Sequence, residues 1–194
     1  MSEFLRCLAG MIAVVAPLGA LASLLGVPPG ARAEASARDR WRLAILSPLA
    51  ALAVLAVAAL LNDPLLDWLN ISPKEFQFAA GAAMAPLAAR LMLTGDSMPP
   101  PRELPGYSWL VPFGVPLLAG PSSIIAVICY AARFGDARAI IASAIAVGLV
   151  GILFALSQKL ERVPLIAWQT LARLSGGALV LLAVELAVNG VHSV

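Results

Sequence analysis

The sequence predicts an all-α membrane protein, with six transmembrane helices arranged as two inverted three-helix repeats and with helices one and four broken. Three observations carry that prediction. The first is composition: of 194 residues, 61% are hydrophobic and only 12% charged, and a mean hydropathy of +0.92 lies far outside the range of soluble globular domains. The second is spacing. Several windows of roughly 20 residues are almost free of charge, the length that crosses the hydrocarbon core as helix, whereas the alternating pattern of a transmembrane barrel is absent. The third is that prolines interrupt two of these windows at matching places in the two halves of the chain.

Span one runs from about Phe4 to Leu25 and holds Ala16-Pro17-Leu18-Gly19 near its middle. Proline removes a backbone donor and crowds the carbonyl four residues earlier, so a break is expected there. The stretch Phe4 to Leu25, followed by Pro28-Pro29-Gly30-Ala31-Arg32-Ala33, imitates a secretory signal with a cleavage site. Its apolar part is too long for a signal core, Arg6 is offset by Glu3, and Pro17 and Gly19 sit mid-run, so a first membrane span is the expectation. The connector that follows is strongly basic, with Arg32, Arg38, Arg40 and Arg42.

Span two, Leu43 to Leu61, is rich in Ala and Leu and carries Pro48 in its first turns. Asn62-Asp63-Pro64 should end it as a turn. A short connection from Asp67 leads to Ser72-Pro73-Lys74-Glu75, which reads as an N-cap, a proline at the first helical position and an acidic first turn. Span three, Phe76 to Leu93, contains Gly81, a kinking Pro86 and a charged Arg90, and ends at Gly95. A Pro-rich connector, Met98 to Pro105, comes next.

Span four occupies the apolar run from Trp109 to Ala132, yet Pro112 to Ser123 carries three prolines and two glycines. The helix should stop near Ala119 and restart at about Pro121. Backbone groups freed in lipid are costly unless protein or a watery cavity satisfies them, so a broken span is a candidate solute site. Span five runs from about Ala137 to Leu156, with Gly148 and Gly151 offering small faces for close packing. After Lys159, Glu161 and Arg162, span six covers Trp168 to Val188.

Laid over span three, span six pairs Gly176 with Gly81, Ala178 with Ala83, Leu182 with Leu87, Ala183 with Ala88, Leu186 with Leu91 and Gly190 with Gly95. The same scheme sets span two against span five, and the Ala16-Pro17 break against Gly120-Pro121. One domain, 1–194, therefore divides into a repeat of about 1–97 and another of about 106–194. Three helices is an odd number, so the second copy enters from the opposite face. Lys and Arg are more numerous beside connectors one, three and five (Arg32, Arg38, Arg40, Arg42, Arg102, Lys159, Arg162) than on the other face (Arg6, Lys74, Arg133, Arg138). That bias places both termini outside the cytoplasm.

Matched breaks in an inverted repeat point to a substrate site at mid-membrane. The residues are Ala16, Pro17 and Gly19 at the first break and Ala119, Gly120, Pro121, Ser122 and Ser123 at the second. Half-helix amino ends can hold a carboxylate and freed carbonyls can accept from an ammonium, so an amino acid would suit the pocket. A packing kink is the competing reading for each break taken alone. Arg90 and Glu185 fall at equivalent repeat positions and are the candidates for coupling. Inverted topology sets their backbones about 15 Å apart in depth, so each is expected to snorkel or line a vestibule at its own face rather than pair with the other.

Enzyme chemistry is not expected. His192 is the one histidine and lies near the end of the chain, and nothing in another span would activate Ser122 as a nucleophile. Cys7 and Cys129 read as small buried hydrophobes, so neither a metal nor a cofactor is implied. No basic stripe suggests nucleic acid. Trp41, Trp68, Trp109 and Trp168 sit at span ends as interfacial anchors.

Val14-Val15-Ala16-Pro17-Leu18-Gly19, Asn70-Ile71-Ser72 leading into Phe76 to Gly95, and Val111-Pro112 through Pro116-Leu117-Leu118-Ala119-Gly120-Pro121 together resemble the MarC family of bacterial and archaeal inner-membrane proteins. The likeness spans essentially the whole chain. It implies six membrane helices in the bacterial inner membrane and, for some members, transport of glycine, alanine or related small neutral amino acids; a coupling proton or sodium ion is a separate expectation of the carrier reading. Other members are linked by name to antibiotic resistance without a substrate, so a non-transporting membrane interaction or stress-related role is the alternative. Members usually have Asp or Asn where this chain has Ala16, and often Gly where it has Ser122.

Overall fold

A computed structural model describes residues 2–28, 37–95, 110–111, 113–160 and 164–191. Among these residues the chain is helical, without strands: α1 (Ser2–Val15), α2 (Pro17–Leu25), α3 (Ala37–Leu60), α4 (Asn62–Leu69), α5 (Pro73–Thr94), a wide turn at Phe113–Leu118, α6 (Pro121–Phe134), α7 (Asp136–Leu160) and α8 (Leu165–Val191). Five stretches are long and apolar enough to cross a membrane, with α1 and α2 counting as one, and α6 is a shorter apolar helix. Large apolar side chains such as Leu93, Ile166 and Leu181 cover the outside of the bundle, as a hydrocarbon solvent allows. The expectations for Arg32, Arg102, Arg162, Trp109, Pro112, His192 and the Met98–Pro105 connector fall outside the described residues.

Several boundaries differ from the sequence reading. Asn62-Asp63-Pro64 does not end span two in a turn but starts α4, after the single residue Leu61. Proline is tolerated in a first helical turn, where its missing N–H would have no partner. Span two begins earlier than Leu43, because α3 takes in Arg38, Arg40 and Arg42, and Pro48 is thus a mid-helix proline. Ala44, four residues before it, is the carbonyl that Pro48 frees. Gly151 of α7 sits there: a Cβ on it would meet the Ala44 oxygen at 2.8 Å and Pro48 Cγ at 3.0 Å. Only a glycine lets α7 approach α3 so closely.

The start of α5 matches its sequence signature. Ser72 accepts from the Glu75 N–H at 3.3 Å, and Glu75 Oε2 accepts from the Ser72 N–H at 2.7 Å, closing a capping box ahead of Pro73. The helix continues through Pro86 to Thr94 and stops at Gly95, whose φ of 76° suits glycine.

The main packing partners are α5 with α8, α3 with α7, and the first broken span with α6, α7 and α8. Without a hydrophobic force between helices in lipid, close contact relies on small residues, and glycines mark the α5–α8 seam. A Cβ on Gly81 would lie 2.7 Å from the Ala187 nitrogen, and one on Gly176 would lie 2.5 Å from the Met92 nitrogen. At the two ends, Gly190 meets the Lys74 carbonyl and Gly95 meets the Gln169 carbonyl, at 2.9 and 2.6 Å on the same measure. The two helices are antiparallel.

Candidate functional site

Both interrupted spans lie inside the bundle. The Glu3–Leu25 span is the most enclosed, with 67% of its most apolar window buried, against 33% for the spans of α5 and α8. The first break thus occurs where protein surrounds it, while at the second Phe113, Gly114 and Leu117 to Gly120 are buried and Pro116 and Pro121 are exposed.

Ala16 is the whole of the first interruption. A residue before proline is kept out of the right-handed helical region, and Ala16 takes the left-handed one instead, at φ 46° and ψ 65°. Its N–H still reaches Ile12 O at 3.1 Å, and its carbonyl accepts from Ala20 at 3.0 Å. Between these bonds α2 starts afresh at Pro17, so Leu18 and Gly19 supply first-turn N–H donors. Ala16, Pro17 and Gly19 are buried.

The second interruption is larger. Val115 is extended, at φ −132° and ψ 124°, before a cis bond to Pro116. The upstream half of span four is therefore a wide turn rather than the expected half-helix. Val115 N–H donates to Leu110 O at 2.7 Å and Ala119 N–H to Gly114 O at 3.1 Å, a five-residue spacing. The chain leaves the helical path at Ala119 and Gly120, and α6 restarts at Pro121, as the prolines predict. A Cβ on Gly120 would stand 2.5 Å from Pro116 O, so glycine is needed at this fold-back. Ala119, Gly120 and Ser123 are buried, Ser122 is half-buried and Pro121 is exposed. No side chain caps either α2 or α6.

The two restarts both lie inward of one contact between α1 and α6. Glu3 of α1 binds Arg138 at 3.0 Å, and further in, the Tyr130 ring of α6 occupies the space beside Gly10. Counting inward from that contact at ~1.5 Å per residue, Ala16 is roughly 9 Å deeper and Pro121 roughly 13 Å deeper. α1 packs on α6, and α2 touches the Phe113–Leu118 turn.

Arg90 and Glu185 stand apart from this region and from each other. Contacts along the α5–α8 seam put Arg90 near the Gly95–Gln169 end and Glu185 near the Lys74–Gly190 end. Both are exposed. Glu185 faces Arg133 of α6 at 3.9 Å, and Arg133 also lies 5.1 Å over the Phe134 ring. Arg90 forms no ion pair among the described residues. In the sequence Arg133 reads only as a span-end charge; its place in the last turn of α6 is the signal that it could meet a partner there.

Among the described residues no cluster of His, Cys, Asp or Glu could hold a metal. Cys7 and Cys129 are free and buried. No curated protein and no solved structure matches the chain. The family model of MarC family integral membrane proteins matches residues 1–194, the whole length. With its succession of apolar helices, this multi-pass membrane protein belongs to the MarC family.

Proposed function

We propose that the protein is a carrier for small neutral amino acids such as glycine or alanine, working by alternating access without enzymatic chemistry or a cofactor. The observation that carries this reading is the pair of uncapped, proline-started helix ends, α2 at Pro17 and α6 at Pro121, each beside buried residues of its own break, Ala16 and Gly19 at the first and Ala119, Gly120 and Ser123 at the second. Their N–H groups suit a carboxylate. The Ala119 carbonyl at the fold-back, with the Ser122 and Ser123 hydroxyls, suits an ammonium. Small apolar walls, Ala16 and Ala119 among them, suit a small side chain.

The register of contacts along the α5–α8 seam supports the carrier reading. The contacts Gly81–Ala187 and Gly176–Met92, and likewise Lys74–Gly190 and Gln169–Gly95, interchange under one shift of 95 residues between the halves. That is what a two-fold axis in the membrane plane between α5 and α8 would produce. Rocking of one half against the other about this seam would expose the site alternately. In this reading Arg90 and Glu185 line the two vestibules, the membrane is the bacterial inner membrane, and both termini lie outside the cytoplasm.

Uptake of labelled glycine, alanine, serine and threonine into proteoliposomes tests the proposal, with Ser122→Leu and Ser123→Leu as site variants. A non-transporting interaction protein would show neither uptake nor a ligand-dependent thermal shift.

A further inference from the structure

One large side chain of α6 is pressed against a glycine of α1. Tyr130 is 6% exposed, and its ring and hydroxyl fill the space that a side chain on Gly10 would take: a Cβ there would stand 2.5 Å from Tyr130 Cζ and 2.8 Å from Cε2. Close approach of membrane spans ordinarily relies on small residues, and here the small residue makes room for a phenol. The ring also stacks on Phe134, with centroids 5.9 Å apart and planes at 26°. Among the described residues the Tyr130 hydroxyl makes no hydrogen bond, so packing alone holds it against Gly10. Gly10 lies six residues before Ala16, and Tyr130 nine after Pro121. Their contact thus stands between both restarts and the Glu3–Arg138 pair.

The other half of the chain has no such residue in the corresponding place. For the interrupted spans the register is set by the breaks themselves, Ala16-Pro17 on Gly120-Pro121, and that register puts Gly10 opposite Gly114 and Tyr130 opposite Gly26. Gly26 ends α2, Gly114 belongs to the Phe113–Leu118 turn, and α2 touches that turn. The counterpart of the Tyr130–Gly10 contact therefore has glycine on both sides. We propose that Tyr130 is a gate on the Glu3–Arg138 face alone: with its ring against Gly10 it closes the passage between α1 and α6, and it leaves that seat when a solute crosses this face. An aromatic side chain makes such a swing by changing χ1 between staggered rotamers, and Gly10 supplies a seat that any Cβ would fill. The solute's passage rests on the carrier reading; the closure by Tyr130 does not.

Thiol labelling of Ser123→Cys, in a full chain carrying Cys7→Ala and Cys129→Ala, tests the gate. Ser123 is 1% exposed and lies seven residues before Tyr130 on α6, on its inward side. A small, charged, membrane-impermeant thiol reagent is applied from the Glu3 side, to intact cells if it labels Glu3→Cys there and to inverted membrane vesicles if it does not. Labelling is expected to be slow with Tyr130 in place, about tenfold or more faster with Tyr130→Ala, and unchanged with Tyr130→Phe, which keeps the ring. Gly10→Ala, which takes the seat, should speed it as well. The unfolding midpoint in detergent reports whether each variant folds, with Tyr130→Leu replacing an alanine that does not. Labelling unmoved by loss of the ring, or as fast in Tyr130→Phe as in Tyr130→Ala, would overturn the gate. Faster labelling in protein that moves no amino acid would keep the closure and sink the carrier reading, and uptake with labelling unmoved would do the reverse.

Discussion

Gly81 of α5 stands against the backbone of Ala187 in α8, so close that a Cβ on Gly81 would lie 2.7 Å from the Ala187 nitrogen and 2.5 Å from Ala183 O. Backbone cannot move aside as a flexible side chain can. Gly81→Ala and Gly176→Ala are therefore expected to cost about 1–3 kcal/mol each, read as a lower unfolding midpoint in detergent. Gly177→Ala, where nothing lies within 4 Å of the added carbon, should be neutral or slightly stabilising. Equal effects at all three positions would show that the seam is not packed as described.

Ala16 gives a second test, of the first break. An L-residue in the left-handed region costs roughly 1–2 kcal/mol, and Gly and Asn enter it more readily. Ala16→Gly should raise stability by about 1 kcal/mol, whereas Ala16→Val should lower it, being both β-branched and confined at a site only 3% exposed. Asn or Asp would fit the same left-handed backbone and add a polar group at the break.

At the start of α5, Ser72→Ala removes the acceptor for the Glu75 N–H. The expected loss is about 1 kcal/mol. Glu75→Gln should lose less, since a carboxamide oxygen still reaches the Ser72 N–H. Hydrogen exchange at residues 72–76 would localise the effect.

The Arg133–Glu185 pair is 3.9 Å long, and the Glu185 side chain is 60% exposed. Glu185→Gln is accordingly expected to change stability by less than about 1 kcal/mol. A larger loss in thermal unfolding would mean that the pair is more enclosed than its exposure indicates.

Much of this architecture was legible in the sequence because each relevant rule acts locally. Ser72-Pro73-Lys74-Glu75 announces a helix start, Pro121 a restart and Gly95 a stop, whatever surrounds them. The 95-residue register between Gly81 and Gly176 was visible as identity, and the seam contacts follow it. What was not legible depends on neighbours. Asn62-Asp63-Pro64 satisfies the rules for a turn and for a first helical turn equally, and burial of Asn62 against Asp136, 74 positions away, accompanies the helix. Val115 before Pro116 could be expected to leave the helical region, but the path of the resulting turn depends on what packs on it, including the Phe113–Phe154 ring contact at 5.7 Å. The sequence marked both breaks, while their placement inward of the Gly10–Tyr130 contact came from the packing of α1 on α6.

The central claim is that the restarts at Pro17 and Pro121 bound one substrate site. Labelled alanine uptake into proteoliposomes, compared between wild type and Ser123→Leu at matched folded protein, tests it most directly. The account predicts saturable uptake by the wild type and a loss of about tenfold or more in the variant, the scale set by filling a small pocket with one bulky side chain. Uptake by the wild type that is unchanged in Ser123→Leu, or no uptake of any small neutral amino acid under imposed proton or sodium gradients, would contradict it.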